Sequence, residues 1–308
     1  MPSEQPQKIL LSPSSFGELD QTPLELLKQN GIECIQNPFC RKLTKEEVME
    51  LLASDISGLI AGLEPLDREV LGHSSLKVIS RCGSGMSNVD QTAAKELGIK
   101  VFSTPFGPTN AVAELTISCI LSLLRHVPQM DRDLHDGKWT KIIGGEVRGK
   151  NVAIIGYGRI GQRVGSLLTA FGAKIIPVDP WYNKDTAVPR CLKMNEALIH
   201  ADIITLHCSG EEQILGPEQF ANMKNGVIIV NAARGGIVKE DALLEALKDG
   251  KVGGAWLDTF AEEPYIGPLC HYPQVILTPH IGSYSLDCRR SMELEAAENL
   301  IKGLQSAT

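Results

Sequence analysis

The sequence predicts an α/β protein of two domains, each built on a parallel sheet covered by helices. Short apolar runs with strand character alternate with helical patterns almost from end to end, as in repeated βα units. A chain of 308 residues is long enough for two domains with substantial cores. The composition, 43% hydrophobic and 22% charged, is that of an ordinary globular protein and indicates no disordered tract.

The first βα series fills roughly the first hundred residues. Its predicted strands are KILLS, GLIAG, LKVISR and KVFSTP, and its predicted helices include PLELLKQNG, DREVLGHSS and DQTAAKELG. Thr44 and Asp90 are candidate N-caps, while Gly31 and Gly98 are candidate helix ends. The order of these elements predicts a parallel sheet.

A longer helical pattern, NAVAELTISCILSLLRHV, begins at Asn110 and separates this series from a second one. Because its apolar residues run nearly all the way round, we expect it to be buried between domains or at a subunit interface. After DGKWTKIIGGEVRGK, the second βα series continues to about residue 284. The last segment, SMELEAAENLIKGLQ, is an amphipathic helix that can return to the first domain.

The net charge, the cysteine and histidine spacing and the lengths of the apolar segments limit the classes of protein that this chain can belong to. A formal net charge of −7 argues against general nucleic-acid or acidic-membrane binding. The longest hydrophobic window, LTISCILSLL, is about half a membrane span, and the apolar stretch after Lys8 is too short for a signal-peptide core. The eight cysteines show no CxxC, and the histidines show no metal-ligand spacing. We therefore expect a cytoplasmic protein with reduced core thiols and no metal.

A glycine-rich turn in the second series predicts a dinucleotide site. NVAIIGYGRIG reads as a strand followed by Gly156, Gly158 and Gly161 in GxGxxG spacing at the start of a helix. The next strand ends at Asp179, 18 residues beyond the third glycine, as in Rossmann folds. Its carboxylate would bind the ribose hydroxyls and repel a 2′-phosphate, and the following PWYNK contains no arginine. The pattern predicts NAD rather than NADP.

Polar residues follow three more predicted strands, where an open parallel sheet places its ligands. They are Arg234, Asp258 with Glu263, and His280. Hydride transfer at a 2-hydroxy or 2-oxo acid needs a group that exchanges the hydroxyl proton and a cation that holds the carboxylate. His280 can do the first, oriented and kept charged by Glu263, and Arg234 the second. Each alone could instead be a structural residue: an ion pair, a solvated turn residue or a cap.

Whole segments resemble the D-2-hydroxyacid dehydrogenase family. They are GYGRIG, NAARGGIVKEDALLEAL, LDTFAEEP and LTPHIGS, while SRCGSGMSNVD and TPFGPTNAVAELT resemble its phosphoglycerate dehydrogenase-like branch. The resemblance implies a Rossmann NAD domain of residues 108–284. This domain would be inserted into a smaller flavodoxin-like substrate domain formed by residues 1–107 and the helix 285–308. It also implies a homodimer and an active site in the cleft between the domains.

The resemblance also implies a role for particular residues. Its catalytic set is Arg234, Glu263 and His280. The cofactor set that it implies is Ser84, Gly156, Tyr157, Gly158, Arg159, Ile160, Asp179, Cys208, Ala232, Ala233, Asp258 and Ser283. The substrate set that it implies is Arg81, Cys82, Gly83 and Lys141.

The substrate expected from the resemblance is D-3-phosphoglycerate or its 2-oxo form, phosphohydroxypyruvate. Three departures favour an unphosphorylated acid such as hydroxypyruvate or glyoxylate almost as strongly: Gly62 and Lys141 stand where the resembled enzymes have arginines, and Pro108 where they have an asparagine. No C-terminal regulatory domain is expected. A corepressor-like NAD-sensing protein and a phosphite or formate enzyme are the remaining alternatives.

Overall fold

The computed structural model describes residues 7–182, 191–210 and 212–306, and the chain in it forms two compact units. The first unit comprises the described residues of Met1–Pro108 and Ser283–Thr308, and the second is Thr109–Gly282. Both are parallel sheets flanked by helices, so the predicted α/β fold class is confirmed.

The first unit has a five-stranded parallel sheet. Its elements are β1 (Gln7–Leu11), α1 (Thr22–Gln29), β2 (Ile32–Gln36), α2 (Lys45–Leu52), β3 (Gly58–Ala61), α3 (Arg68–Gly72), β4 (Val78–Arg81), α4 (Gln91–Glu96) and β5 (Lys100–Ser103). The strand order β2-β1-β3-β4-β5 is the flavodoxin-like one, as predicted. No strand was predicted at β2 from the sequence, and α2 was marked only by its candidate N-cap, Thr44. IECIQ has only five residues and no regular alternation of polar and apolar side chains, which gives a weak strand signal.

The helix ends of this unit follow from local chemistry. Thr44 and Asp90 cap α2 and α4 through their side chains, as predicted, and Glu47 completes a capping box with Thr44. Gly31 and Gly98 follow α1 and α4 with positive φ, which glycine adopts without a Cβ clash.

The second unit has a six-stranded parallel sheet. Its elements are α5 (Pro108–Leu124), α6 (Val127–His135), β6 (Asn151–Ile155), α7 (Arg159–Ala170), β7 (Lys174–Val178), α8 (Met194–His200), β8 (Ile203–Leu206), α9 (Pro217–Asn222), β9 (Val227–Asn231), α10 (Glu240–Lys248), β10 (Val252–Leu257) and β11 (Val275–Leu277). The strand order β11-β10-β9-β8-β6-β7 is doubly wound and changes direction between β6 and β8. A ligand of such a sheet binds at the carboxyl ends of the strands beside this point.

The strand register brings the carboxyl ends together at one edge. Val178, Ile155, Leu206, Asn231 and Leu257 are successive partners across the sheet, and Leu257 pairs in turn with Leu277. The residues that follow these six therefore lie in a row: Asp179, Gly156, His207, Ala232, Asp258 and Thr278. Segments far apart in the sequence thus supply one surface.

Two long helices differ from their predicted form. The helix expected from Asn110 begins at Pro108 and ends at Leu124, because His126 takes a left-handed conformation before α6. Most of its apolar side chains belong to the core of the second unit, which accounts for much of its hydrophobic character. The last helix of the first unit, α11 (Leu286–Gln305), starts five residues earlier than predicted, since Ser285 caps it, and packs on α1 and β3–β5.

The structure also shows the state of the cysteines and the length of the apolar helices. The eight cysteines form no disulfide, but Cys40 and Cys270 are exposed rather than in the core. Within the described ranges, no single helix is long and apolar enough to cross a membrane. The bent pair α5–α6, with a 66° angle between its helices, passes that test by length and composition only. The N-terminal six residues and Asn183 and Lys184 of the PWYNK segment lie outside the described residues.

Candidate functional site

The glycine-rich turn between β6 and α7 is shaped by its close neighbours. Gly156 has a φ of +88°, and a Cβ there would overlap the backbone of Cys208. A Cβ at Gly161 would overlap the carbonyl of Gly156, so these two glycines are required for packing. Gly158, by contrast, has open space where its Cβ would stand. A ligand phosphate can approach the backbone at this open glycine, beside the N-terminus of α7.

Asp179 lies next to this turn, at the end of the neighbouring strand β7. Its Oδ2 accepts the backbone N–H of Tyr157 at 2.8 Å, and its Oδ1 accepts that of Trp181 at 2.8 Å. A carboxylate has about four lone-pair directions, so further donors can still bind. The pair of backbone contacts fixes an acid beside the turn, and the fit to a dinucleotide ribose follows from that position.

The remaining predicted residues of the turn differ in exposure: one side chain is buried and two are at least partly exposed. The Tyr157 ring is buried, meets the Tyr182 ring edge-on at 5.0 Å and packs on Gly165. The structure accounts for the Tyr157 side chain by this packing and for its N–H by the bond to Asp179, and its cofactor contact stays a prediction. Arg159 is exposed and Ile160 half-buried at the first turn of α7. These two positions border the open side of the turn.

His280 and Glu263 form the central pair. His280 Nδ1 lies 3.1 Å from Glu263 Oε2, and both side chains are about one third exposed. His280 has a φ of 55°, in the left-handed region that non-glycine residues rarely adopt, and its backbone N–H donates to the carbonyl of Thr278. Glu263 Oε1 accepts the N–H of Phe260 at 3.1 Å. The carboxylate is therefore fixed through one oxygen and orients the imidazole through the other.

Asp258, fully buried after β10, holds the loop that carries His280. Its Oδ1 accepts from the hydroxyl of Thr278 at 2.6 Å and from the N–H of Ile281 at 2.9 Å, and its Oδ2 accepts from the N–H of Gly282 at 2.8 Å. The indole of Trp256 donates to the same Thr278 hydroxyl at 2.9 Å. Both carboxylate oxygens thus accept hydrogen bonds from the loop that carries His280. The sequence predicted Asp258 as a cofactor contact but did not predict this structural role.

Arg234 follows β9 on a turn held by Asn231. The Asn231 amide donates to the carbonyl of Arg234 and accepts the N–H of Ala233. The guanidinium donates to the carbonyl of Ala233 at 2.8 Å, which leaves most of its five N–H groups for other acceptors. Ala232 is half-buried and Ala233 buried beside it. The next residue, Gly235, packs so closely on the backbone of Phe260 and Ala261 that a Cβ would overlap both.

His207 and Cys208 follow β8 beneath the glycine turn. His207 is part-buried overall, its Nε2 lies 2.8 Å from the hydroxyl of Thr205, and burial lowers its pKa to about 3. A neutral imidazole so placed is a structural residue. Burial likewise raises the pKa of the Cys208 thiol, which lies against Gly156.

The predicted residues of the first unit lie after β4. Arg81 is buried and its guanidinium donates to the carbonyl of Cys82. Gly83 has a φ of +143°, and its N–H donates to the Thr104 hydroxyl at 2.7 Å. Ser84 is exposed. Burial raises the pKa of Cys82 to about 12, so it is a neutral thiol. The substrate contacts expected of Arg81, Cys82 and Gly83 stay predictions.

The end of β3, where the sequence places Gly62, carries an acid. Both oxygens of the buried Glu64 carboxylate lie 3.0 Å from the N–H of Gly62, and burial raises the pKa of Glu64. Lys141 is exposed in the segment after α6, and Ser283 is half-buried just before α11.

Comparison with known proteins identifies the family. Residues 117–282 match the model of the D-isomer specific 2-hydroxyacid dehydrogenase, NAD binding domain. The chain belongs to the D-isomer specific 2-hydroxyacid dehydrogenase family. The match includes the glycine turn, Asp179 and the His280–Glu263 pair, so the second unit contains the NAD-binding domain of this family.

Individual relatives carry different names within the family. The chain is 34% identical over 300 residues to D-3-phosphoglycerate dehydrogenase of Archaeoglobus fulgidus, covering 93% of this chain and 56% of that protein. It is 36% identical over 272 residues to hydroxypyruvate reductase of Thermotoga maritima, covering 85% and 89%. The glyoxylate reductase structure from Paecilomyes thermophila superposes with a TM-score of 0.84 at 30% identity, covering 100% and 96%. The chain spans about half the length of the phosphoglycerate dehydrogenase relatives.

Several residues that support the His280–Glu263 pair were not predicted from the sequence. Thr278 and Trp256 support Asp258, while Phe260 and Gly235 contact the segment that carries Glu263. A weak signal was present for Thr278, which lies two residues before His280. Trp256 and Gly235 could not be found because their contacts join segments more than twenty residues apart. Phe260 lies only three residues from Glu263, but no sequence pattern marks its N–H as the partner of that carboxylate.

Proposed function

We propose that this chain is an NAD-dependent dehydrogenase that transfers hydride between nicotinamide and C2 of a small 2-hydroxy or 2-oxo acid. The observation that carries this proposal is the 3.1 Å contact between His280 Nδ1 and Glu263 Oε2 within an NAD-binding domain of the family. An imidazole held by a carboxylate at the ligand-binding edge of such a sheet is placed for proton exchange.

His280 supplies or accepts the proton of the reaction. When C2 of a 2-oxo acid gains hydride, its oxygen must gain a proton. Glu263 stabilises the imidazolium and engages Nδ1, so that Nε2 is the nitrogen that donates to the substrate oxygen. Arg234 holds the substrate carboxylate with the guanidinium N–H groups that are not on Ala233.

NAD fits the residues that the structure provides. Bound NADH supplies the hydride, and NAD⁺ accepts it in the reverse direction. Gly158 leaves the backbone open for the pyrophosphate at the N-terminus of α7. Asp179 accepts from the ribose hydroxyls and repels the additional phosphate of NADP.

An unphosphorylated 2-oxo acid such as hydroxypyruvate or glyoxylate is the preferred substrate in this proposal. The supporting observation is Glu64: this buried carboxyl on the N–H of Gly62 offers no positive charge at the point where the family resemblance expects a phosphate-binding arginine. Phosphohydroxypyruvate is the second candidate, because the relatives named D-3-phosphoglycerate dehydrogenase match most of the chain.

The test is oxidation of NADH and NADPH against pyruvate, glyoxylate, hydroxypyruvate and phosphohydroxypyruvate. We expect NADH oxidation, with at least a 100-fold lower kcat in His280→Ala, since proton transfer contributes about 10²–10⁴-fold. The exposed His271, in a turn away from the pair, gives the control His271→Ala, which should turn over normally. NADH affinity, measured by calorimetry, should change little in both variants.

Three results would contradict parts of the proposal. Full turnover in His280→Ala would remove this residue from proton transfer. Activity with phosphohydroxypyruvate alone would reverse the substrate order and assign the phosphate to another cation. If the wild type binds NADH but reduces none of the acids, a corepressor-like NAD-sensing role becomes the better description.

We also propose a homodimer formed through α6 and the segment after it. Val127, Leu134, Trp139 and Ile143 are all at least half exposed, and Ile143 is 97% exposed. Large apolar side chains collected on one short stretch are typical of an interface. Sedimentation of a dimer at micromolar concentration is expected, and Trp139→Ser with Ile143→Ser should shift it to the monomer. A monomeric wild type would contradict this arrangement.

A further inference from the structure

The carboxylate of Glu263 is held from the side opposite His280 by an aromatic pair. The oxygen that does not contact His280 accepts the N–H of Phe260 at 3.1 Å. The Phe260 ring stacks on the Tyr265 ring, with centroids 4.3 Å apart and planes 19° from parallel. Tyr265 therefore constrains the residue whose N–H orients Glu263.

Tyr265 is itself fixed by its hydroxyl. The hydroxyl donates to Glu240 Oε1 at 2.8 Å and accepts the N–H of Leu269 at 3.3 Å. Burial, and then the Glu240 carboxylate, raise the pKa of Tyr265 to about 12, so the hydroxyl remains a donor at physiological pH. Glu240 is the first residue of α10, a helix anchored in the core by Leu243. The phenol is thus tied to a rigid element.

The same segment is confined on a second side. Gly235, directly after Arg234, packs on the backbone of Phe260 and Ala261 with no space for a Cβ. The backbone between β10 and Glu263 is consequently held between the residue that follows Arg234 and the stacked ring of Tyr265. A movement of Phe260 would rotate its N–H away from Glu263.

We propose that Tyr265 is a positioning residue: through Phe260 it orients the Glu263 carboxylate and hence the His280 imidazole, and Glu240 anchors it to the start of α10. This inference rests on the proposed function. It explains why an aromatic residue with a hydrogen-bonded, part-buried hydroxyl lies two positions after Glu263. A small displacement of a catalytic group is costly, because proton transfer depends steeply on geometry.

The consequence is a loss of kcat that exceeds any change in KM. Glu263 contacts the His280 ring, and Asp258 binds the backbone of the next two residues. Weakening the Glu263 contact lets the imidazole leave the orientation that proton transfer needs, so kcat should fall while KM changes little. Loss of a packing contact alone would lower stability without this selective loss of kcat.

The experiment compares five variants of the full chain with the wild type. Glu263→Gln sets the largest expected loss of kcat, at least about tenfold, because it removes the carboxylate that holds the imidazole. Tyr265→Leu removes ring and hydroxyl and should give a smaller loss, with a larger effect on kcat than on KM. Tyr265→Phe and Glu240→Ala should give still smaller, similar losses, while Glu240→Gln keeps an acceptor and should resemble the wild type.

Tyr272→Leu is the matched control. Tyr272 packs on the same core directly after the short turn that contains Leu269, and among the described residues it forms no ring pair with Phe260. It should lose stability without a selective loss of kcat. Circular dichroism and NADH binding establish that each variant is folded, and Tyr265→Phe retains the stacked ring if Tyr265→Leu does not fold.

The outcomes separate this inference from the proposed function. A wild type without His280-dependent turnover refutes the proposed function, and the effect of Tyr265→Leu on the orientation of the His280 imidazole can then still be followed by NMR in the protein without substrate. Unchanged kcat and KM together with unchanged NMR signals of His280 in Tyr265→Leu and Tyr265→Phe would overturn the positioning role. An equal loss of kcat in Tyr272→Leu would also overturn it.

Discussion

Asp258 accepts the backbone N–H of Ile281 at 2.9 Å, directly after the residue that carries the imidazole. Its other oxygen accepts the N–H of Gly282, so one buried side chain determines the path of the whole loop. His280 is held in a left-handed conformation by these contacts on its C-terminal side. The position of the imidazole is thus specified by a residue that never contacts the ring.

Replacing Asp258 should therefore affect both stability and turnover. In Asp258→Asn one acceptor becomes a donor that faces a backbone N–H or the Thr278 hydroxyl, and we expect a loss of about 1–3 kcal/mol in the free energy of unfolding. All three tryptophans lie in the second unit, so urea unfolding followed by tryptophan fluorescence reports on it. Exposed Asp249→Asn should change the free energy by less than about 0.5 kcal/mol. Equal stability of the two variants would refute this role.

Substitutions at two glycines of the turn should have different effects, one on protein stability and the other on cofactor affinity. Gly156→Ala meets a positive φ and the backbone of Cys208, so a loss of more than about 2 kcal/mol is expected. Gly158→Ala meets open space, so stability should stay within about 0.5 kcal/mol while the Kd for NADH rises at least about tenfold. Unfolding and calorimetric titration test both. Unchanged NADH affinity in Gly158→Ala would place the pyrophosphate elsewhere.

Asp179 should set the preference between NADH and NADPH. Asp179→Ser keeps a small polar group for the N–H of Tyr157 but removes the charge that repels a 2′-phosphate. The ratio of kcat/KM for NADH over NADPH should fall at least about tenfold, since removing a like charge is worth a kcal/mol or more. Steady-state kinetics with both cofactors measures it. A constant ratio would show that another residue discriminates.

His207 should make stability depend on pH. Its pKa is about 3 in the folded protein because of burial and near 6.5 when unfolded, so the unfolded chain binds more protons between these values. The free energy of unfolding should be constant above about pH 6.5 and decrease below it, by up to about 1.4 kcal/mol per pH unit. His207→Gln lacks this group and should lose about 1 kcal/mol less between pH 7 and 5.5. Identical slopes in urea unfolding would contradict this assignment.

Much of this architecture could be predicted from local patterns. The alternation of strands and helices, the caps at Thr44 and Asp90 and the GxGxxG turn each depend on neighbours within a few residues. Short-range steric and hydrogen-bonding rules suffice for them. β2 was not predicted because its five residues, IECIQ, show no regular alternation of polar and apolar side chains.

The sequence by itself determined the α/β class, the glycine turn and the identity of the residues that end each strand. Only the tertiary structure decided what those residues touch: that Asp258 holds the His280 loop, that Tyr157 packs inward, and that Tyr265 lies behind Glu263. The physical reason is that strand register and loop packing join segments twenty or more residues apart, as with Asp258 and Gly282. Local propensity contains no information on which partner a buried carboxylate or ring will find.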